Sequence, residues 1–234
     1  MDLTSWLENE AINLGWDYFG AADIRAYYDY LESFCGDFIR KYPVAISLIF
    51  RLSDAVVDSI LKQEPDKQLS FNNYCYHGVD HFINTSTVKL ARMIEKKGFK
   101  AYPVPASYGV YPEKLAGLIS HKLVAKEAGL GWVGKSGLFL TPEDGPRVRL
   151  ATILTDADLI TGEPVKNKCG KCTICIDACP AGAISNVDLE THLPQVDVFK
   201  CYEYQEERKK SWNVKIDRCI CGLCQAICPR GQKA

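Results

Sequence analysis

Leu3, Trp6, Leu7, Ala11 and Leu14 recur at helical spacing and Gly15 follows as a stop, so the chain opens on an amphipathic helix. Tyr18 to Ala22 reads as a short strand. From Ala21 to Tyr42 the positions Tyr27, Tyr28, Tyr30, Phe34 and Cys35 keep no clean period, and helix and loop both stay open there. Val44 to Phe50 is a continuous apolar run of strand length, which predicts a buried central strand. Ser53 is placed to cap a helix running toward Pro65. Polar residues then dominate from 64 to 76, where Pro65, Asp66, Lys67, Gln68, Asn72 and Asn73 predict an exposed connection ending in Tyr74-Cys75-Tyr76-His77. Helical period returns from Val79 through Phe82, Ile83, Leu90, Ala91 and Ile94, and Gly98 ends that helix beyond Lys96 and Lys97.

Phe99 to Val104 makes a strand. Pro103-Val104-Pro105-Ala106-Ser107 holds the backbone extended, because each proline fixes its own φ and disfavours helix in the residue before it. A loop with Tyr108, Tyr111 and Glu113 leads to a helix expected over Leu115 to Ala128. The next stretch, Gly129-Leu130-Gly131-Trp132-Val133-Gly134, matches G-x-G-x-x-G letter for letter. A dinucleotide fingerprint needs a strand before it and a helix after. Here the helix comes first and a strand, Gly137 to Leu140, follows. The glycines still let backbone amides approach a ligand closely, so the loop is either a cofactor floor or a tight helix-to-strand turn. Pro142-Glu143-Asp144-Gly145-Pro146 is a turn and Val148 to Thr155 is β-rich, so 137 to 155 reads as a hairpin. Residues 156 to 168 hold Gly162 and Pro164 without periodicity and are the expected domain boundary. Two domains result, 1–160 and 161–234, of α+β class.

Composition narrows the function classes. The chain has 234 residues, 47% apolar and 24% charged, which is ordinary for a globular protein with a sizeable core. Its formal net charge of -1 supplies no field to attract nucleic acid or an acidic membrane, and Arg208-Lys209-Lys210 reads as a solvated helix face, so nucleic acid is unsupported as a partner. No apolar run reaches the ~18 residues of a membrane span. The start of the chain carries no signal-peptide pattern, and the cysteines are clustered rather than spread as a disulfide framework. A reducing compartment, the cytoplasm, is therefore expected.

The cysteines carry the chemistry. Cys169-x2-Cys172-x2-Cys175-x3-Cys179-Pro180 has the spacing by which bacterial ferredoxins hold cubane clusters, the fourth cysteine ligating the other cluster. Cys221-x2-Cys224-x3-Cys228-Pro229 is an incomplete copy. Exchange of the fourth ligand assigns Cys169, Cys172, Cys175 and Cys228 to one [4Fe-4S] cluster. The second takes Cys179, Cys221, Cys224 and either Cys201 or Cys219. The pattern is unlike the paired C-x2-C of zinc modules. Residues 169–234 alone would scarcely build an apolar core, so the clusters are expected to supply folding free energy.

Some 165 residues beyond a ferredoxin imply that the electrons go to something, and a corrinoid or a flavin in the N-terminal domain is the natural acceptor. No D-x-H-x-x-G run occurs to supply a cobalt-ligating histidine. His121 stands out among the four histidines, His77, His81, His121 and His192, because it lies with Lys122 on the helix feeding the glycine loop. Tyr74, Tyr76, Tyr108 and Tyr111 are able to donate protons or to serve as core and rim aromatics.

With these residues in view the chain resembles the epoxyqueuosine reductase and reductive dehalogenase superfamily. The resemblance rests on Pro103 to Ser107, Ser120-His121-Lys122, Ala128 to Lys135, Gly145-Pro146-Arg147-Val148-Arg149-Leu150 and the two cysteine runs. It implies a nitroreductase-like α/β/α N-terminal domain holding cobalamin, followed by a ferredoxin-like double [4Fe-4S] domain that reduces it. It also implies that Cys201 is the remaining cluster ligand. Ser107, His121, Lys122, Gly129, Gly131, Trp132, Gly134, Lys135 and Arg147 become the expected cofactor-binding residues, with a flavin as the alternative occupant. A low-potential donor such as a ferredoxin or flavodoxin, and a small-molecule or nucleoside-like substrate, are the implied partners. The family's acidic proton donor falls at Leu115, so Tyr111 and Glu113 are the nearest expected proton sources. The chain stops six residues after Cys228, where the tRNA-modifying members continue into a helical repeat domain. A short paralogue is the expectation.

Overall fold

The computed structural model describes residues 1–107, 115–185, 196–213 and 219–232. Its strands are β1 (Tyr18–Asp23), β2 (Val44–Arg51), β3 (Ala101–Val104), β4 (Trp132–Val133), β5 (Phe139–Leu140) and β6 (Val148–Thr155). Four of them form one sheet in the order β1-β2-β6-β3, and β4 pairs with β5. β1 runs antiparallel to β2 with Phe19 opposite Leu48 and Ala21 opposite Ile46. β3 runs antiparallel to β6 with Val104 opposite Thr152. The unbroken apolar run of β2 is explained by its central place, since Val44 to Ile49 are all buried.

Helix α1 (Leu3–Asn13) starts where Asp2 accepts a hydrogen bond from the Ser5 backbone N–H and presents Leu7 and Ala11 to the core. It packs on β1. The sequence left 21–42 open. It holds 3-10 turns at 25–27 and 37–41 and, between them, α2 (Tyr28–Cys35), from which Leu31 is buried. Short helix α3 (Asp54–Ser59) follows Ser53. The stretch expected to be an exposed connection is instead α4 (Pro65–Asn73), with proline in its first turn and Gln68, Phe71 and Asn72 buried. A π-helical turn, Tyr74–Val79, joins it to α5 (Asp80–Lys96).

Two further expectations are corrected. The helix placed over 115–128 forms only as α6 (His121–Glu127): Leu115 takes the left-handed φ of 47°, and Ser120 Oγ caps the helix by accepting from Leu123 N at 3.3 Å. α6 packs on β1 and β2. The hairpin over 137–155 does not form, although its turn does, with Thr141 and Gly145 exchanging backbone hydrogen bonds of 3.0 and 3.1 Å. β6 is buried from Ala151 to Thr155 and needs neighbours on both edges, which β2 and β3 supply and a two-residue strand would not. Ala22, Ile24, Leu31, Ile39, Ala45, Val104, Ile119, Val124, Ala128 and Leu154 make a core cluster there.

By compactness the chain forms two units that interleave along the sequence, where one boundary in 156–168 was expected. One comprises 1–51, 80–132 and 149–166; the other comprises 52–79, 133–148 and 167–234. The second unit carries α3 and α4 together with α7 (Ile174–Asp177), α8 (Val198–Ser211) and α9 (Leu223–Ala226). α7 and α9 are single turns inside the two cysteine runs. No helix among the described residues is long and apolar enough to cross a membrane.

Candidate functional site

The seven cysteines of the two runs and Cys201 fall into two groups by the charges each feels, with Cys224 also feeling Cys175 of the other group. Burial first, and then charge on Cys169, Cys228 and Cys172, pushes the Cys175 thiol up to about 11. Burial also raises Cys228, which feels Cys169 and Cys172 while the backbone N–H groups of Arg230 and Gly231 pull the other way. In the second group burial raises Cys201, which feels Cys179, and raises Cys221, which feels Cys201 and Cys179. Cys224 is raised furthest, by burial first and then by Cys221, Cys201, Cys175 and Cys179. Cys219 is different. It is buried, and the charges it feels are Arg208, Glu206 and Lys209, with no other thiol among them. Buried thiolates packed this way repel one another unless a cation sits among them, and bound metal inverts that balance by holding coordinating thiols deprotonated. Among the described residues no three His, Cys, Asp or Glu side chains converge on a point that would suit a single ion. A cubane distributes its four thiolates around a larger cage.

The surrounding chain is shaped to these groups. A Cβ on Gly134 would lie 3.2 Å from Cys169 Sγ and 2.7 Å from Leu140, so any larger residue would have to displace the Leu140 side chain and crowd that sulfur. Lys135 is buried and its Nζ donates to Cys172 O at 3.0 Å. Asn167 donates to Val133 O and accepts from Cys169 N, both at 2.8 Å. Gln205 Nε2 donates to Cys201 Sγ at 3.1 Å, one helical turn along α8. α4 grips the second run from the side: Asn72 accepts from Ile220 N at 2.9 Å, and Gln68 Nε2 donates to Cys221 O at 2.9 Å and to Ile220 O. Gln63 accepts from Cys221 Sγ at 3.3 Å.

The expected cofactor residues divide between the units. Gly134, Lys135 and Arg147 belong with the cysteines. Arg147 is 1% exposed, pairs with Asp54 at 3.1 Å and Asp58 at 2.6 Å, donates to Ala226 O and lies against Gly231. It braces the loop after Cys228. In the other unit Gly129 has φ +75°, and a Cβ there would meet Glu163 O at 2.7 Å, so its glycine is required by backbone packing. His121 Nδ1 lies 2.8 Å from Thr152 Oγ1, and Ser107 receives a hydrogen bond from Arg149, which also pairs with Asp80 at 2.5 Å. Lys122 is exposed, while Gly131 and Trp132 are buried. Tyr111, Glu113 and His192 lie outside the described residues.

Sequence reasoning missed Gln63, Gln68, Asn72 and Arg208. Gln68 and Asn72 sit in what looked like a loop, Gln63 falls at the end of the helix expected to run toward Pro65, and Arg208 was expected on a solvated face yet is 7% exposed. No local pattern announces them, because their partners lie far along the chain.

A family model described as a 4Fe-4S double cluster binding domain matches residues 168–231. The chain is 34% identical over 122 residues to an epoxyqueuosine reductase of Bacillus anthracis, covering 50% of this chain and 30% of that one. It is 30% identical over 180 residues to an epoxyqueuosine reductase of Cellulophaga algicola, covering 72% and 53%. The chain thus spans about a third to a half of these relatives. A reductive dehalogenase whose structure suggests a mechanism for B12-dependent dehalogenation superposes with TM-score 0.68 at 17% identity, over 97% of this chain and 31% of the other. An epoxyqueuosine reductase solved with an epoxyqueuosine-modified tRNA-Tyr stem loop gives TM-score 0.63 at 20% identity, over 98% and 65%. The mixed helix and strand fold is the one these structures share.

Proposed function

Because the chain belongs to the epoxyqueuosine reductase and reductive dehalogenase superfamily, we propose that it is an iron-sulfur oxidoreductase passing single electrons through two [4Fe-4S] clusters to an acceptor in its N-terminal part. The observation that carries this reading is the match of residues 168–231 to a 4Fe-4S double cluster binding domain, with eight cysteines there lying within one another's charge. Cys169, Cys172, Cys175 and Cys228 hold one cluster, and Cys179, Cys201, Cys221 and Cys224 hold the other. The donor set fits the group, four thiolates per cage, and the clusters supply one-electron steps. Gly134 admits the sulfur of Cys169, and Asn167, Gln205, Gln68 and Asn72 fix the loops that carry the ligands.

A corrinoid is the proposed acceptor, supported by the dehalogenase neighbour, within the nitroreductase-like part of residues 1–160, from which 52–79 and 133–148 join the cysteine-bearing unit. Lys122 is the exposed member of the expected set; Ser107 and His121 are held by Arg149 and Thr152, Gly131 and Trp132 are buried, and Gly129, Lys135 and Arg147 are engaged in backbone packing, a hydrogen bond and ion pairs. Those engaged residues hold the chain itself rather than a corrin. Tyr111 or Glu113 is the proposed proton source. The substrate is small or nucleoside-like, and the tRNA-bound neighbour brings nucleic acid back among the partner classes. A low-potential ferredoxin or flavodoxin in the cytoplasm is the proposed donor.

The engagement of Gly129, Lys135 and Arg147 favours a second reading, an electron-transfer protein without its own organic cofactor. Anaerobic purification followed by iron, sulfide, cobalt and flavin analysis separates the two. About eight irons per chain with retained cobalt after incubation with cobalamin supports the first. Eight irons, no cobalt or flavin, and rapid reduction of an added acceptor protein supports the second, and a zinc-loaded chain would sink both.

A further inference from the structure

α8 points one face at the second group of thiols. Cys201, Tyr204, Arg208 and Trp212 follow at spacings of three, four and four, with Gln205 four residues from Cys201, which stacks them along one side of α8 and its C-cap. Arg208 is the unusual member. It is 7% exposed, and no carboxylate among the described residues pairs with it. Its guanidinium lies 4.3 Å from the Trp212 ring centroid and 5.5 Å from that of Tyr204. Nη2 donates to Gln68 Oε1 at 3.4 Å, and Nη1 is buried without a hydrogen-bond partner among the described residues. Gln68 in turn holds Cys221 O and Ile220 O. A guanidinium that is desolvated and left without a counter-ion is costly, because the interior does not replace its hydration.

The charges around it identify what offsets that cost. Tyr204, against which Arg208 packs, feels Arg208, Cys221, Cys179 and Cys219 together. Through α8, which carries Cys201, and through Gln68, which holds the Cys221 carbonyl, the guanidinium is placed beside the chain that bears the second set of thiols. Reduction adds one electron to a cluster and makes its surroundings more negative, and cluster potentials follow net charge, hydrogen bonding to sulfur and exposure.

We propose that Arg208 is the fixed countercharge of the cluster held by Cys179, Cys201, Cys221 and Cys224, a positioning residue that raises the reduction potential of that cluster alone. This rests on the two-cluster reading above. Arg208 exchanges neither electron nor proton; it stabilises the one-electron-reduced state through its charge, in a site where water does not screen it. Gln68, Tyr204 and Trp212 hold it in place.

Redox titration of the full-length, anaerobically purified protein, followed by EPR, tests this on Arg208→Gln and Arg208→Lys. Iron analysis of the parent comes first: fewer than two clusters overturns the underlying reading and the proposal with it. With both clusters present, Arg208→Gln should displace one of the two couples to lower potential by tenfold or more in its equilibrium constant, ~59 mV for a one-electron step, and leave the other in place. Arg208→Lys should restore the parent value. Two unmoved couples in Arg208→Gln with full iron content, or equal displacement in both variants, overturns the proposal. Should Arg208→Gln fail to hold two clusters, Arg208→Lys decides. Full iron at the parent potential supports a role of the charge, and loss of the cluster there too would assign Arg208 to packing.

Discussion

Cys201 and Cys219 are equally plausible from spacing alone, and burial does not separate them in the expected direction, since Cys219 is the more enclosed. What separates them is company. Cys201 feels Cys179 and receives a hydrogen bond from Gln205, while Cys219 feels the charged side chains of α8. Cys201→Ser should therefore drop iron from roughly eight to roughly four per chain, and Cys219→Ser should leave it unchanged; the reverse result would exchange their roles. His121 supports a second prediction. Burial lowers its pKa to about 4 from 6.5, the Pro105 carbonyl and Asp80 opposing and Arg149 adding to the effect. The native state thus keeps it neutral. Between those two values the unfolded chain binds a proton that the folded chain does not, so stability is intact above the upper one and falls as pH drops toward the lower, by up to about 3 kcal/mol. His121→Gln should flatten that part of the urea-midpoint profile, and an unchanged slope would refute it. The cysteines were legible from spacing because a cluster fixes its ligands' separations along the chain. Arg208 was not, because a run of three basic residues looks the same whether one of them turns inward or none does.

At the scale of elements, what was legible follows from whether the determinant is local. The first helix, the first two strands and the helix ending before Gly98 carry their own periodicity and caps. α4 does not: Gln68 and Asn72 read as solvent-facing polar residues, and they are buried because they satisfy the backbone at Ile220 and Cys221. A buried polar residue looks like a loop residue until its partner is known. Likewise β6 needed the whole sheet order before its pairing with β2 and β3, rather than with the short strand before it, could be assigned. The glycine loop was legible as a place of close approach, but not as to what approaches. At Gly129 it is the chain at Glu163, and Gly162 meets Ala128 O in return, at 2.2 Å from a notional Cβ. Gly36 has the same φ of +75° with nothing within 4 Å. Gly36→Ala should then cost about 1 kcal/mol of backbone strain, and Gly129→Ala about 2–5 kcal/mol, because strain and overpacking add. Chemical denaturation of both variants measures this, and equal losses would mean that the contact with 162–163 is not what requires glycine.

For the whole molecule, interleaving changes what the clusters are expected to stabilise. A boundary near residue 160 would confine the effect of iron to the C-terminal segment. The cysteine-bearing unit instead includes 52–79 and 133–148, tied to it by Gln68 and Asn72 at 220–221, by Arg147 at Ala226 and Gly231, and by Lys135 and Gly134 at the first cysteine run. Ligands of a structural metal contribute their binding free energy to folding, and stability in such a protein is distributed over cooperative units rather than uniformly. Chelation of iron should accordingly expose α4 and the segment 133–148 to amide exchange along with 167–232, although neither contains a cluster cysteine. β1 and β2, with their core of Ala22, Ile24, Ala45 and Leu154, should keep their protection longer. Hydrogen-exchange mass spectrometry of holo and chelated protein reads this directly. Loss of protection confined to 167–232 would mean that the polar grip of α4 holds the loop without depending on it, and that the unit defined by compactness is not a cooperative one.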